Sequence, residues 1–349
     1  MSTDRLLPTR PYLRDEIIAI LRELIDRQRC DRLVRIEAER ELAARLSVSR
    51  LSLRAAVKTL VDEGLLLRKR GSGTYIVPVP ASQIVDLIAA PDIKPQDPFY
   101  SEFLSELSRY LAEQSLHLRM LHPAQLPAAS TSNPLIIVGL IEDRLIRSLR
   151  ATHGRVIATQ SYPDAVEISQ ICFDDYQIGV EAASILFDRG HRRIAHLAGP
   201  AIYPSALKRC QGFTDRLKAL GVEPDVIEGK MNWESGYELG EDAITLSTGR
   251  KPVTAIFAAN DWMALGLMQR LREEGVSVPE RVSVLGCDDI HLAWQVKPHL
   301  STFKWDVNYL IREMFTFMES MNANGPTLHK KILLPARFVE RDSLKRIVT

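Results

Sequence analysis

The chain has 349 residues, of which 46% are hydrophobic and 26% charged; that composition excludes a disordered chain and provides for two or three packed domains. The net charge of +1 divides into +5 over residues 1–80, with 16 Lys and Arg against 11 Asp and Glu, and −4 over the remainder, so the basic excess lies in the small N-terminal part. Cys30, Cys172, Cys210 and Cys287 form no CxxC pair, which argues against a zinc site or disulfide framework, and the longest apolar run, residues 135–141, is too short to cross a bilayer.

In chain order, Ile17, Leu21, Leu24 and Ile25 recur at helical spacing and predict an amphipathic helix over residues 12–28. A second helix is predicted over residues 38–46, where Leu42 and Leu46 form an i, i+4 pair. Ser47-Val48-Ser49 then turns into a third helix over residues 50–63, with Ser49 as its N-cap. On that helix Leu53, Val57, Leu60 and Val61 share one face, while Arg50, Arg54 and Lys58 make a separate basic stripe. Taken alone, the stripe reads equally well as a solvated face. Two helices joined by a tight turn, the second exposing short and basic side chains near its N-terminus, suit entry into a DNA major groove. Residues 65–67 and 74–77 read as two strands joined through Arg68-Lys69-Arg70-Gly71-Ser72-Gly73, a hairpin with a basic shoulder and a glycine tip.

Glu39-Arg40-Glu41-Leu42-Ala43, Val48-Ser49-Arg50, Leu53-Arg54, Leu60-Val61-Asp62-Glu63-Gly64-Leu65 and Gly71-Ser72-Gly73-Thr74-Tyr75 resemble the GntR-family winged helix-turn-helix. The resemblance covers about 70 residues and implies that Arg40, Ser49, Arg50, Ser52 and Arg54 face DNA, with Arg70 and Gly71 at the wing. Glu37 and Ala38 stand where that family usually has Pro-Ser, which removes an N-cap worth about 1 kcal/mol.

After a short linker, residues 78–82, apolar strand-like runs alternate with amphipathic helices. Strands are predicted at residues 84–90, 116–121, 135–139, 156–158 and 168–173, with helices at 98–114, 142–151 and 176–189. A second series places strands at 193–197, 226–228, 255–258 and 282–286 and helices at 205–220, 234–247 and 261–274. The fold class is therefore an N-terminal α+β module, residues 1–77, followed by an α/β body of two doubly wound parallel-sheet lobes, residues 83–341. The lobes are expected at about 83–190 plus 304–322, and 191–303 plus 323–341.

Asp97-Pro98-Phe99-Tyr100, Asp174 before Gly179, Gly190-His191-Arg192-Arg193-Ile194, Arg209 before Gly212-Phe213, Asn260-Asp261-Trp262-Met263-Ala264 and Gly286-Cys287-Asp288-Asp289 resemble the LacI-type ligand-binding domain and its periplasmic sugar-binding relatives. The resemblance implies that Phe99, Tyr100 and Trp233 pack on a sugar ring, and that Asp174, Arg209, Asn260 and Asp288 hold its hydroxyls, while Asp261 and Asp289 cap or brace loops. For each aromatic alone, ordinary core packing is the commoner role. Trp305 stands where relatives often present Gln, which adds apolar area to the effector site. Residues 122–133, rich in Pro, Ala and Ser, replace a longer helical stretch, and no counterpart of the LacI hinge helix lies between head and body.

No GxxxxGK[ST], HExxH or GxSxG motif occurs, so no catalytic residue, metal or cofactor is assigned. The expectation is a cytoplasmic DNA-binding repressor, a homodimer on a palindromic operator, controlled by a carbohydrate-like effector between the lobes and without membrane contact. A regulator whose body is only a dimerisation scaffold and a carbohydrate-acting enzyme stand as alternatives.

Overall fold

The computed structural model describes residues 14–28, 33–78, 83–94, 97–122, 131–163, 165–248, 252–323 and 329–347. The start of the first predicted helix, Cys30, most of the linker and residues 123–130 lie outside the described residues.

The N-terminal module contains α1 (Arg14–Gln28), β1 (Val34–Arg35), α2 (Glu39–Arg45), α3 (Arg50–Asp62), β2 (Leu66–Lys69) and β3 (Gly73–Ile76). Its core is the set that helical spacing selected, Ile17, Leu21, Ile25, Leu42, Leu53, Val57 and Leu60, closed by Leu66 and Ile76 from the hairpin. The sheet order is β1-β3-β2, and the hairpin pairs Leu66 with Ile76 and Lys69 with Gly73. Gly64 ends α3 with φ +74°, and the Leu65 N–H donates back to the Leu60 carbonyl, which turns the chain into β2. Ala38 offers α2 no side-chain cap, as the departure from Pro-Ser implies, whereas Ser49 accepts from the Ser52 N–H at 3.0 Å.

The first lobe is a six-stranded parallel sheet in the order β14-β8-β7-β6-β4-β5. It is built from β4 (Ile84–Ala89), β5 (His117–Leu121), β6 (Thr131–Val138), β7 (His153–Ala158), β8 (Ser169–Phe173) and, from far along the chain, β14 (Lys331–Leu334). Strands buried on both faces explain the near-continuous apolar runs. Helices α4 (Pro98–Glu113) and α11 (Val307–Ala323) contribute to the apolar cluster on one face of the sheet, and α5 (Asp143–Thr152) to that on the other. The second lobe is a four-stranded parallel sheet, β10-β9-β11-β12. Its chain order is α6 (Asp175–Asp188), β9 (Ile194–Ala198), α7 (Pro204–Ala219), β10 (Asp225–Glu228), α8 (Trp233–Glu238), α9 (Gly240–Thr248), β11 (Ala255–Ala258), α10 (Asp261–Glu273) and β12 (Ser283–Leu285). The antiparallel pair β13 (Thr302–Lys304) and β15 (Arg337–Val339) completes the body.

Two expectations are corrected. The lobe limits of 83–190 plus 304–322 and 191–303 plus 323–341 put α6 in the first lobe and β14 in the second. In the structure α6 packs against α7 so closely that a Cβ on Gly179 would lie 2.1 Å from the Arg209 carbonyl oxygen, while β14 pairs with β8 from Lys331–Gln170 to Leu334–Phe173. The chain therefore crosses between lobes at residues 173–175, 304–307 and 334–337. The single helix expected over 234–247 is two, α8 and α9, broken at Leu239. The strand order reverses direction between β4 and β6, and again between β9 and β11. The crevices outside the carboxyl ends of those strands are where such sheets hold ligands.

Candidate functional site

On the N-terminal module, α3 carries Arg50 and Arg54 exposed, with Arg40 exposed on α2 and Arg70 and Gly71 exposed at the hairpin tip. Gly71 has φ +75°, a conformation glycine adopts without strain. Ser49 and Ser52 share a hydrogen bond of 2.7 Å between their hydroxyls, so both sit on the first turn of α3 beside Arg50. One member missed by sequence reading is Glu39. Its carboxylate accepts from Arg54 at 3.2 Å and also from Arg68 of β2, and so ties α2 to both α3 and the hairpin. Only the third dimension brings these residues, 15 and 29 positions from Glu39, to one point.

Between the lobes, the N-terminal turn of α4 presents Phe99 and Tyr100, capped by Asp97, whose carboxylate accepts both their amide N–H groups. Trp305, on the second crossing, meets Phe99 edge-on at 4.7 Å and stacks on Phe173 at 4.7 Å. The Arg209 guanidinium lies 5.5 Å from the Trp305 ring. Tyr100 accepts from the Gln160 amide at 2.9 Å, and Tyr203 of the second lobe donates to Asp92 of the first at 2.5 Å. Aspartate at 92 holds that hydroxyl, so the Tyr203 phenol is pushed up to about 12.

Arg209 is 1% exposed; it donates to the Ala259 carbonyl and, at 2.6 Å, to Asp175, itself buried. Burial pushes the Asp175 carboxyl up, with Arg209 opposing. Among the described residues the Arg209 Nε and the Trp305 Nε1 are buried without a hydrogen-bond partner. Buried unpaired donors are costly, so both N–H groups are candidates to meet an incoming acceptor. Asp288 is half-buried, and burial drives its carboxyl well above the usual range, with Asp261 adding to the rise and Arg209 opposing it. Asp174 caps α6 through the Gln177 N–H at 3.0 Å. Asn260 is committed at both ends: its oxygen accepts from Met263 N–H at 2.9 Å and its amide donates to the Met231 carbonyl at 3.0 Å. Asp261 and Asp289 are braces, the former held by Thr302 and the Ile290 N–H, the latter by Arg341. A hydroxyl group entering here can accept from the unpaired N–H groups and donate to a carboxylate.

Among the described residues Trp233 makes no ring contact with this aromatic set. Its ring stacks on Tyr237 at 5.2 Å, four residues on along α8, because the Asn232 cap starts the helix there and i, i+4 neighbours share a face. Met231, with φ +61°, stands instead beside Gly199, where a Cβ would lie 2.4 Å from its sulfur. His196 of the second lobe is structural. His196 stacks on Phe257 at 4.8 Å and bonds its carbonyl, and burial lowers it to about 4. Burial likewise pushes the Cys172 thiol up to about 12, leaving no reactive thiolate there. Among the described residues no group of three or more His, Cys, Asp or Glu is placed to hold a metal ion.

Residues 13–76 match the family described as bacterial regulatory proteins, gntR family, and residues 183–344 match a periplasmic binding protein-like domain. The chain joins a gntR-type head to a periplasmic-binding-protein-like body. Curated relatives of the body include the HTH-type transcriptional regulator AscG of Escherichia coli, 36% identical over 174 residues, 49% of this chain and 51% of that protein. The HTH-type transcriptional repressor CytR of the same species is 29% identical over 231 residues, 62% of this chain and 66% of that one. The chain thus covers about half to two thirds of the length of these relatives. Among solved structures, the Escherichia coli transcriptional repressor ascG superposes with a TM-score of 0.61 at 25% identity, covering 76% of this chain and all of that one. A complex of the transcriptional regulator CelR with cellobiose superposes at 0.66 and 22% identity, covering 88% and 100%. In this gntR-headed chain, Glu39, Asp175, Gln160 and the Asp92–Tyr203 contact are the members that sequence reading missed. Asp175 alone had a local signal, the Asp174-Asp175 doublet after β8.

Proposed function

We propose that this protein is a sequence-specific DNA-binding transcription repressor, cytoplasmic and without catalytic activity, whose DNA affinity is set by a small carbohydrate or sugar derivative bound between the lobes. The observation that carries the reading is the presence, in one chain, of an exposed Arg50–Arg54 face on a capped helix and a two-lobed body closing on Arg209 and Trp305. The named regulators among the relatives and the cellobiose bound to CelR support it. Among the described residues no helix is long and apolar enough to cross a membrane. The DNA face comprises Arg40, Ser49, Arg50, Ser52, Arg54, Arg70 and Gly71; the effector face comprises Phe99, Tyr100, Asp174, Arg209, Trp233, Asn260, Asp288 and Trp305. The coupling is linkage: a ligand that binds one arrangement of the lobes more tightly shifts DNA affinity only by that difference. A homodimer on a palindromic operator supplies matching two-fold symmetry.

Arg54→Ala is expected to weaken specific DNA binding by about 1–3 kcal/mol, the worth of one bidentate base contact, while leaving the salt dependence little changed. A gel-shift titration at two salt concentrations measures both, and unchanged operator affinity removes Arg54 from the reading face.

A second reading, a body that serves only as a dimerisation scaffold, draws on the committed Asn260 side chain and on the Trp305 ring packed between Phe99 and Phe173. A thermal-shift screen of sugars and sugar phosphates separates the two, since a ligand at 100 times its Kd stabilises by about 2.7 kcal/mol. Asp288→Asn is expected to lose that shift and the effector response while its ligand-free DNA binding matches the wild type; no hit across a broad panel favours the scaffold.

A further inference from the structure

Leu51 is 78% exposed on the first turn of α3, and among the described residues it belongs to no packed cluster of the head. A single exposed leucine is ordinary on a protein surface, so its place matters more than its exposure. Ser49 caps the helix, Arg50 and Ser52 flank Leu51, and Ala55, one turn further along the same face, is exposed and short. The core side of α3 is fully supplied by Leu53, Ala56, Val57 and Leu60, each at 0% exposure, so nothing in the fold requires an apolar residue at 51. The N-terminal turn of the second helix is also the part of a helix-turn-helix that reaches base edges. There, Arg recognises the guanine acceptors, and the one apolar feature the major groove offers is the C5-methyl group of thymine.

We propose that Leu51 is a specificity-determining residue that packs on a thymine methyl in each half-site, next to the base read by Arg50 or Arg54. The inference rests on the DNA-binding reading above. Leucine offers no donor or acceptor, so its contribution is selective by shape and hydration: a thymine buries methyl against methyl, whereas a cytosine at that place presents only a C5–H and leaves the leucine without that contact. Leu51 therefore adds sequence preference without adding charge, and it leaves the salt dependence of binding unaltered.

The test uses the full chain and a random duplex pool, from which wild type and Leu51→Ala each enrich their own sites. In the wild-type site every thymine is then replaced singly by uracil, which removes only the methyl, and affinities are measured by gel-shift titration. One thymine per half-site is expected where uracil weakens wild-type binding about fourfold, the worth of one buried methyl group. Leu51→Ala, in which alanine keeps the helix, is expected to bind the thymine and uracil duplexes equally and to enrich sites that no longer favour thymine there. The proposal is overturned if no uracil position matters to the wild type, or if Leu51→Ala retains the same discrimination. Failure to enrich any duplex overturns the DNA-binding reading itself, and this inference with it.

Discussion

Asp175→Ala is expected to destabilise the body by about 3–5 kcal/mol, because it strands a buried guanidinium that has no means of shedding its charge. Arg209 and Asp175 are 1% and 6% exposed and 2.6 Å apart; without the carboxylate, the one hydrogen-bond acceptor left to Arg209 among the described residues is the Ala259 carbonyl, and its Nε already lacks a partner there. Arg209→Ala is expected to cost less, since the remaining carboxyl can take up a proton. That difference has a pH signature. Burial raises the folded-state pKa of Asp175 from 3.8, so folding favours its protonated form, and this contribution is present below pH 3.8 and lost as pH rises through the folded value. Removing the opposing Arg209 extends that rise, and Arg209→Ala is expected to lose stability relative to wild type as pH rises from 5 to 8. Urea unfolding at both pH values, with tryptophan fluorescence as the probe, measures it. Replacing both partners by apolar residues, Asp175→Leu with Arg209→Met, is expected to recover most of the stability and none of the effector response. A double variant as unstable as Asp175→Ala refutes the stranded-charge account.

The same pair shows where sequence reading ends. The elements of the head were legible almost throughout, because the residues proposed to face DNA lie on two short helices and the hairpin, where spacing along the chain fixes the face. Its exceptions are tertiary: β1 is two residues long and exists by pairing Val34 with Ile76 and Arg35 with Tyr75, and Glu39 meets its arginines only after folding. In the body, apolar runs located the strands and amphipathic spacing the helices, but neither says which sheet a helix covers. Hence α6 was assigned to the wrong lobe, and β14 with it. Between the lobes, Phe99 and Arg209 both meet Trp305, while Trp233 makes its ring contact with Tyr237, a neighbour that one aromatic residue at the start of a helix does not announce.

Gly212→Ala is expected to cost about 3 kcal/mol or more, for a reason that joins fold to function. A Cβ at Gly212 would stand 2.0 Å from the Tyr176 carbonyl oxygen, and one at Gly179 would stand 2.1 Å from the Arg209 carbonyl oxygen and 2.6 Å from the Phe213 nitrogen. Both obstacles are backbone, so no rotamer relieves them and α6 and α7 must part, a form of overpacking beyond the usual 1–3 kcal/mol. Gly236 and Gly266 repeat the device where α8 meets α10, against the Met263 and Trp233 carbonyl oxygens. Arg209 lies one turn before Gly212, so parting the helices also draws the guanidinium from Asp175 and from Trp305. Gly154→Ala is the control: nothing lies within 4 Å of its Cβ position, and the change is expected to be neutral or stabilising by about 0.4–1 kcal/mol. Urea unfolding ranks the variants, and a thermal-shift assay with an effector found in the screen reads the cleft. Gly212→Ala should lose both stability and ligand shift; wild-type behaviour in both would mean that the close approach of α6 and α7 does not position Arg209.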